Sequence, residues 1–150
     1  MTIRERAKAM LVEDEGLRTK PYDDATGKEV ALPTGGKVTI GVGRNLSDVG
    51  IHIKHIWAML EEDIDRAEKI ARDIFPDYDT YTENRQLALI NMIFNMGKGD
   101  ENHGFMSFRN TIRSIREGDW KAAQENIRAS KWARQVGAKR SQRVLKLLAS

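Results

Sequence analysis

The chain has 150 residues, 40% of them apolar and 31% charged, with 25 basic and 22 acidic groups, three histidines and no cysteine. That length buries one hydrophobic core, pinched at most into two lobes, and the lack of cysteine excludes a disulfide framework, thiolate catalysis and a thiolate metal site. Residues 1–75 hold 12 basic and 14 acidic groups against 13 and 8 in residues 76–150, so the second half suits either an anionic polymer, such as nucleic acid or an acidic cell wall, or simple solvation.

Thr2-x-x-Glu5 is a capping box, and Ile3, Ala7, Met10 and Leu11 follow on one face, which predicts a first helix over about Ile3–Glu15. The apolar run from Ala9 to Val12 is too short for a secretory leader or a membrane span, so no signal peptide and no membrane insertion are expected. Gly16 lets the chain leave the helix, and Pro21-Tyr22-Asp23-Asp24 with Thr26-Gly27 is turn chemistry. Val30 to Leu32 and Lys37 to Val42 are strand candidates around Pro33-Thr34-Gly35-Gly36, a small antiparallel sheet and the only predicted β region.

Ile56, Leu60, Ile64, Ala67, Ala71 and Ile74 form a helical stripe that ends at Pro76, long enough to connect two lobes. Thr80-x-x-Glu83 offers a second capping box, and Leu87 to Met96 is apolar on nearly every side before Gly97, which predicts a buried central helix. Three shorter helices follow, about Phe108 to Glu117 stopped by Gly118, Trp120 to Arg128 capped by Asp119, and Lys139 to Leu148. From Arg128 onward come Lys131, Arg134, Lys139, Arg140, Arg143 and Lys146 without an acidic residue. The expected fold class is α+β, one domain over 1–150. It comprises a small N-terminal α+β lobe (about 12–58) with an antiparallel β-hairpin sheet, a long connecting helix (about 54–75), and an all-α C-terminal lobe (about 76–150) that includes helix 1.

Three polar residues carry the chemistry. Glu15 ends a helix, Asp24 sits nine positions on in a turn, and Thr39 lies in an alternating strand. Glycoside hydrolysis needs one protonated carboxyl to release the leaving oxygen and one ionised carboxylate to handle water or the developing cation. At a helix C-terminus the negative end of the dipole favours the protonated carboxyl, whereas an open turn keeps Asp24 ionised. Taken singly, each has an ordinary reading: a solvated surface Glu, an Asp serving its turn, a strand Thr. Gly41-Val42-Gly43 lacks the third glycine of a nucleotide loop, and His52 and His55 have no evident third ligand for zinc.

Glu15-Gly16-Leu17-Arg18, Tyr22-x-Asp24, Thr39-Ile40-Gly41-Val42-Gly43, Asn91-Met92-Ile93-Phe94-Asn95-Met96-Gly97 and Ser130-Lys131-Trp132 stand in the order and approximate spacing of the phage T4-type lysozymes. The chain resembles that family from about Ile3 to Leu147. The resemblance implies a lysozyme-like fold and an endolysin that cleaves the β-1,4 bond between N-acetylmuramic acid and N-acetylglucosamine in peptidoglycan. Glu15 would be the proton donor and Asp24 and Thr39 its partners, with Thr39 holding a water for inversion. Asn45, Phe94, Thr111 and Asn126 fall at saccharide-binding positions, Phe94 being equally readable as core. Arg140 matches an arginine that approaches the catalytic Glu, and its ordinary reading is a helix-surface cation.

The resemblance further implies a monomer without metal or cofactor, without nucleic acid, made in the host cytoplasm, acting on the cell wall and dependent on a separate holin-type release factor. Three departures from the family stand out. The hairpin tip from Glu29 to Lys37 is enlarged, no extra C-terminal segment or wall-binding domain is expected after Ser150, and Arg44 replaces a histidine that pairs with an aspartate on the long helix. Asp63 takes that aspartate's place, so an Arg44–Asp63 ion pair is expected. Two other readings use the same residues: a lytic transglycosylase, against which Asp24 and Thr39 argue, and a non-enzymatic wall-binding or tail protein.

Overall fold

Seven α-helices, two single-turn 3₁₀ helices and one two-stranded antiparallel sheet make up the regular structure of the described residues, which in this computed structural model are 1–23, 26–30 and 36–150. The first helix, α1 (Ile3–Glu15), starts as its capping box requires. The Thr2 amide donates to Glu5 Oε2 at 2.7 Å and the Glu5 amide to Thr2 Oγ1 at 3.2 Å. Its buried face is Ala7, Met10 and Leu11.

The sheet differs from expectation in its partner. β1 (Thr39–Ile40) pairs with β2 (Arg44–Asn45), Thr39 opposite Asn45 and Ile40 opposite Arg44. Val42, expected in a strand, lies in the intervening turn, because Gly41 and Gly43 take left-handed φ values of 60° and 70° and reverse the chain. Most of the expected Val30–Leu32 strand and of the turn at Pro33-Thr34-Gly35 lies outside the described residues, as does much of the hairpin tip.

The long helix α2 (Ile53–Ile74) buries Ile64, Ala67, Ala71 and Ile74 at helical spacing, together with Glu68, which Arg4 pairs at 3.1 Å. Arg116 donates from Nε and Nη2 to the Ile74 carbonyl at 3.1 and 2.8 Å, supplying a partner the helix end cannot supply itself.

The central helix α3 (Glu83–Met96) starts at Thr82, whose hydroxyl oxygen accepts from the Arg85 amide at 3.3 Å, and not at the Thr80 box. Thr80 is spent in a preceding 3₁₀ turn, Tyr78–Thr80, where its hydroxyl donates to Asp77 O at 2.7 Å. Every residue from Leu87 to Ile93 is buried, as the sequence predicts, Asn91 included.

Four helices follow where three were expected: α4 (Arg109–Arg116), α5 (Trp120–Ala129), α6 (Lys131–Gln135) and α7 (Gly137–Leu148). Asp119 caps α5 through the Ala122 amide at 2.9 Å. The additional helix α6 exists because Ser130 does double duty, its hydroxyl donating to Ile127 O at 2.6 Å and accepting from the Ala133 amide at 3.1 Å.

Two compact units result. One comprises Met1–Asp14 and Glu62–Ser150, with Phe75, Tyr78, Leu89 and Phe105 fully buried in its core. The other is Glu15–Glu61. Gly50 in this second unit lies where a Cβ would stand 2.4 Å from Thr19 O, so the close approach that the Ile51 amide seals by donating to Thr19 O at 2.8 Å requires a residue without a side chain. Among the described residues no helix is long and apolar enough to cross a membrane.

Candidate active site

Glu15 is the last residue of α1 and is exposed. The two residues before it are held from outside. Asp14, its side chain only 3% exposed, accepts from Asn91 Nδ2 at 2.7 Å, from Arg143 Nη1, and stands 3.5 Å from Arg140 Nε. Arg140 also donates from Nε to Asn91 Oδ1 at 3.0 Å and is buried, so it is not the surface cation of the ordinary reading. Glu13 takes Lys139 at 2.6 Å and Arg143 at 2.7 Å. The hydrogen bond from Lys139, then the Arg143 charge, holds its carboxyl below the usual range. Lys139 and Arg143 are therefore partly neutralised members of the basic C-terminal stretch. Buried carboxylates and guanidinium groups persist only when paired in this way.

Thr39 and Asn45 face each other across the sheet. The Thr39 hydroxyl donates to Lys37 O at 3.2 Å, which leaves its lone pairs to accept from a water or a sugar hydroxyl. Asn45 is turned into its own loop. Its Nδ2 donates to Asp48 Oδ2 at 2.9 Å and its Oδ1 accepts from the Asp48 amide at 3.0 Å. Lys37 pairs with Asp48 at 3.0 Å and, with Asn45, holds that carboxyl below its ordinary range. Arg44 donates from Nε to Gly50 O at 2.8 Å. Asp24 lies outside the described residues.

The remaining candidates divide between two pockets of the first unit. Thr111 and Asn126, 15 positions apart in sequence, line one cavity of about 850 Å³ with Phe108, Trp132, His103 and Lys131. Asn126 Nδ2 donates to Ser114 Oγ at 3.4 Å, and Trp132 Nε1 to Asn95 Oδ1 at 2.8 Å. Hydroxyl, amide and aromatic surfaces together suit a saccharide. The described residues lining this cavity include three basic side chains, His103, Arg109 and Lys131, and no acidic one. Phe94, half-buried, lines a pocket of about 240 Å³ with Asp63, Arg66 and Ile70. Asp63 pairs with Arg66 at 3.0 Å.

Sequence reasoning missed Asp14, Asn91 and Arg143, and it missed Phe108 and His103 as pocket walls. One signal was available: Asn91 is a lone amide inside an otherwise apolar buried run, and such a residue needs partners.

The phage lysozyme family model matches residues 12–148. The chain is also similar to the pre-baseplate central spike protein Gp5 of Enterobacteria phage T4, with 28% identity over 160 aligned residues that cover 88% of this chain and 26% of that protein. The chain thus spans about a quarter of the length of this curated relative.

Proposed function

The chain belongs to the phage lysozyme family, and on that premise we propose that it is a peptidoglycan muramidase cleaving the β-1,4 bond between N-acetylmuramic acid and N-acetylglucosamine. The observation that carries this reading is the extent of the family match, which takes in every candidate from Glu15 to Arg140. The chemistry of those residues agrees with it. Glu15 gives its proton to the glycosidic oxygen as the bond to the anomeric carbon breaks. A water held by Asp24 and the acceptor lone pairs of Thr39 attacks that carbon from the opposite face and passes its proton to Asp24, which inverts the configuration. Thr111 and Asn126 bind sugar hydroxyls, and Phe94 and Asn45 add contacts. Arg140 acts on the supporting side through the Asp14 network, and the reaction needs no cofactor.

Purified protein is expected to clear a suspension of peptidoglycan and to release reducing ends one water heavier than the anhydro products of a lytic transglycosylase. Unchanged turbidity would favour a non-enzymatic wall-binding role, and anhydro sugars would favour the transglycosylase; either result overturns the hydrolase.

Arg44 and Asp63 are part of the reading as an ion pair, although each already has a partner in its own unit, Gly50 O and Arg66. An arginine pair weakens only as the carboxylate is protonated, unlike a histidine pair, which also fails at alkaline pH. Substitution of both residues is expected to show a coupling of about 0.5 kcal/mol or more in a double-mutant cycle of stability. Additive effects would remove the pair.

The working setting is host lysis by a monomer: synthesis in the cytoplasm, passage to the wall through a holin-type factor, and no use of nucleic acid or membrane insertion. The similarity to a central spike protein supports a second setting, in which the same activity is carried on a phage particle. Recovery of the chain from purified particles would select the second.

A further inference from the structure

We propose that Asp14 is a positioning residue, whose buried clamp holds the end of α1 and so aims Glu15. The inference rests on the reading of Glu15 as the acid. Helix ends fray, and the last turn of α1 has no basic side chain to hold its carbonyl groups and is followed by Gly16 at φ 78°. Glu15, the residue that must deliver the proton, is the last of that turn.

A restraint on that turn comes from two other helices. Asn91 of α3 and Arg140 and Arg143 of α7 converge on the Asp14 carboxylate, and Arg143 reaches back to Glu13 as well. Asn91 is itself held, since the nitrogen that donates to Asp14 and the oxygen that accepts from Arg140 belong to one amide. Both residues before Glu15 are therefore tied by their side chains to α7, and Asp14 to α3 as well.

Such a cluster is a poor device for stability alone. Burying a carboxylate and guanidinium groups costs desolvation that apolar side chains of similar volume avoid. Its distinctive product is geometry: several directional bonds from separate helices allow the turn one position, and an acid displaced by about 1 Å can lose on the order of 100-fold in rate. The charges are also matched locally, with Glu13 and Asp14 facing Lys139, Arg140 and Arg143.

The test uses Asp14→Asn, which keeps the shape and removes the charge, beside Ile115→Ala, a cavity variant in the core of α4 that leaves the clamp intact. Amide hydrogen exchange at Glu15 and steady-state kinetics on a soluble peptidoglycan fragment are measured well below the Tm of both. The expected result for Asp14→Asn is exchange at Glu15 faster on the order of tenfold, with kcat lower on the order of 10- to 100-fold and KM nearly unchanged. Ile115→Ala, at comparable Tm, should change neither.

Wild-type exchange and kcat in Asp14→Asn, or equal losses in Ile115→Ala, would overturn the proposal. Should Asp14→Asn fail to fold, Arg143→Gln, which removes one donor from a partly exposed position, is read by the same two criteria. If the wild-type protein proves inactive on peptidoglycan, the functional reading falls, while exchange at Glu15 still decides whether the clamp holds the helix end.

Discussion

Glu15→Gln is expected to lower peptidoglycan lysis by about 10² to 10⁴-fold, the range that a positioned general acid supplies. The amide matches the carboxyl in shape and hydrogen-bonding reach but has no proton of suitable acidity to give the leaving oxygen. The side chain is exposed at the end of α1 and is not part of the buried core, so Tm should stay close to wild type. Turbidity clearance and thermal melting on the same preparation separate lost chemistry from lost fold. A Gln variant that folds and turns over at a near-normal rate would remove Glu15 from the mechanism.

Phe105→Ala is expected to cost about 3 to 5 kcal/mol, a large share of the roughly 5 to 15 kcal/mol that holds an ordinary domain together. The ring is fully buried, edge-on to Phe75 at 6.0 Å and stacked with Phe108 at 6.2 Å. Its backbone closes the loop that follows α3, with the Phe105 amide donating to Gly97 O at 3.0 Å and the Met106 amide to Lys98 O at 2.9 Å. A Cβ on Gly104 would stand 2.7 Å from Gly99 Cα, so that loop is folded tightly on itself and relies on the ring as its anchor. The same segment supplies His103, Gly104, Ser107 and Phe108 to the large pocket. Loss of the ring should therefore raise KM for saccharide as well as lower the urea midpoint at unchanged slope. A stability loss below about 1 kcal/mol would show that the pocket floor is held elsewhere.

Much of the local structure was legible in the chain. The Thr2/Glu5 box starts α1, Asp119 starts α5, and the stripe from Ile64 to Ile74 and the apolar run through Leu87–Ile93 are buried as their periodicity requires. The β region was legible in place but not in pairing, since the Gly41 and Gly43 conformations decide that Thr39–Ile40 turns back onto Arg44–Asn45. Two helix starts depended on hydroxyl groups with competing partners. Thr80 is taken by the 3₁₀ turn, which leaves Thr82 to cap α3, and Ser130 begins a helix that no apolar period announces.

The sequence by itself determined six of the seven α-helices of the described residues and, through five motifs in order, the family and the candidates Glu15, Asp24 and Thr39. These rest on caps, periods and short spacings, which act between neighbours along the chain. Only the tertiary structure decided that Arg140 is buried, that Lys139 and Arg143 are bound to Glu13, and that Thr111 and Asn126 share one cavity. Asp14 meets Asn91 across 77 positions and Arg143 across 129. A carboxylate's partners at such separations leave no period in the sequence, because they are chosen by which helix faces pack together.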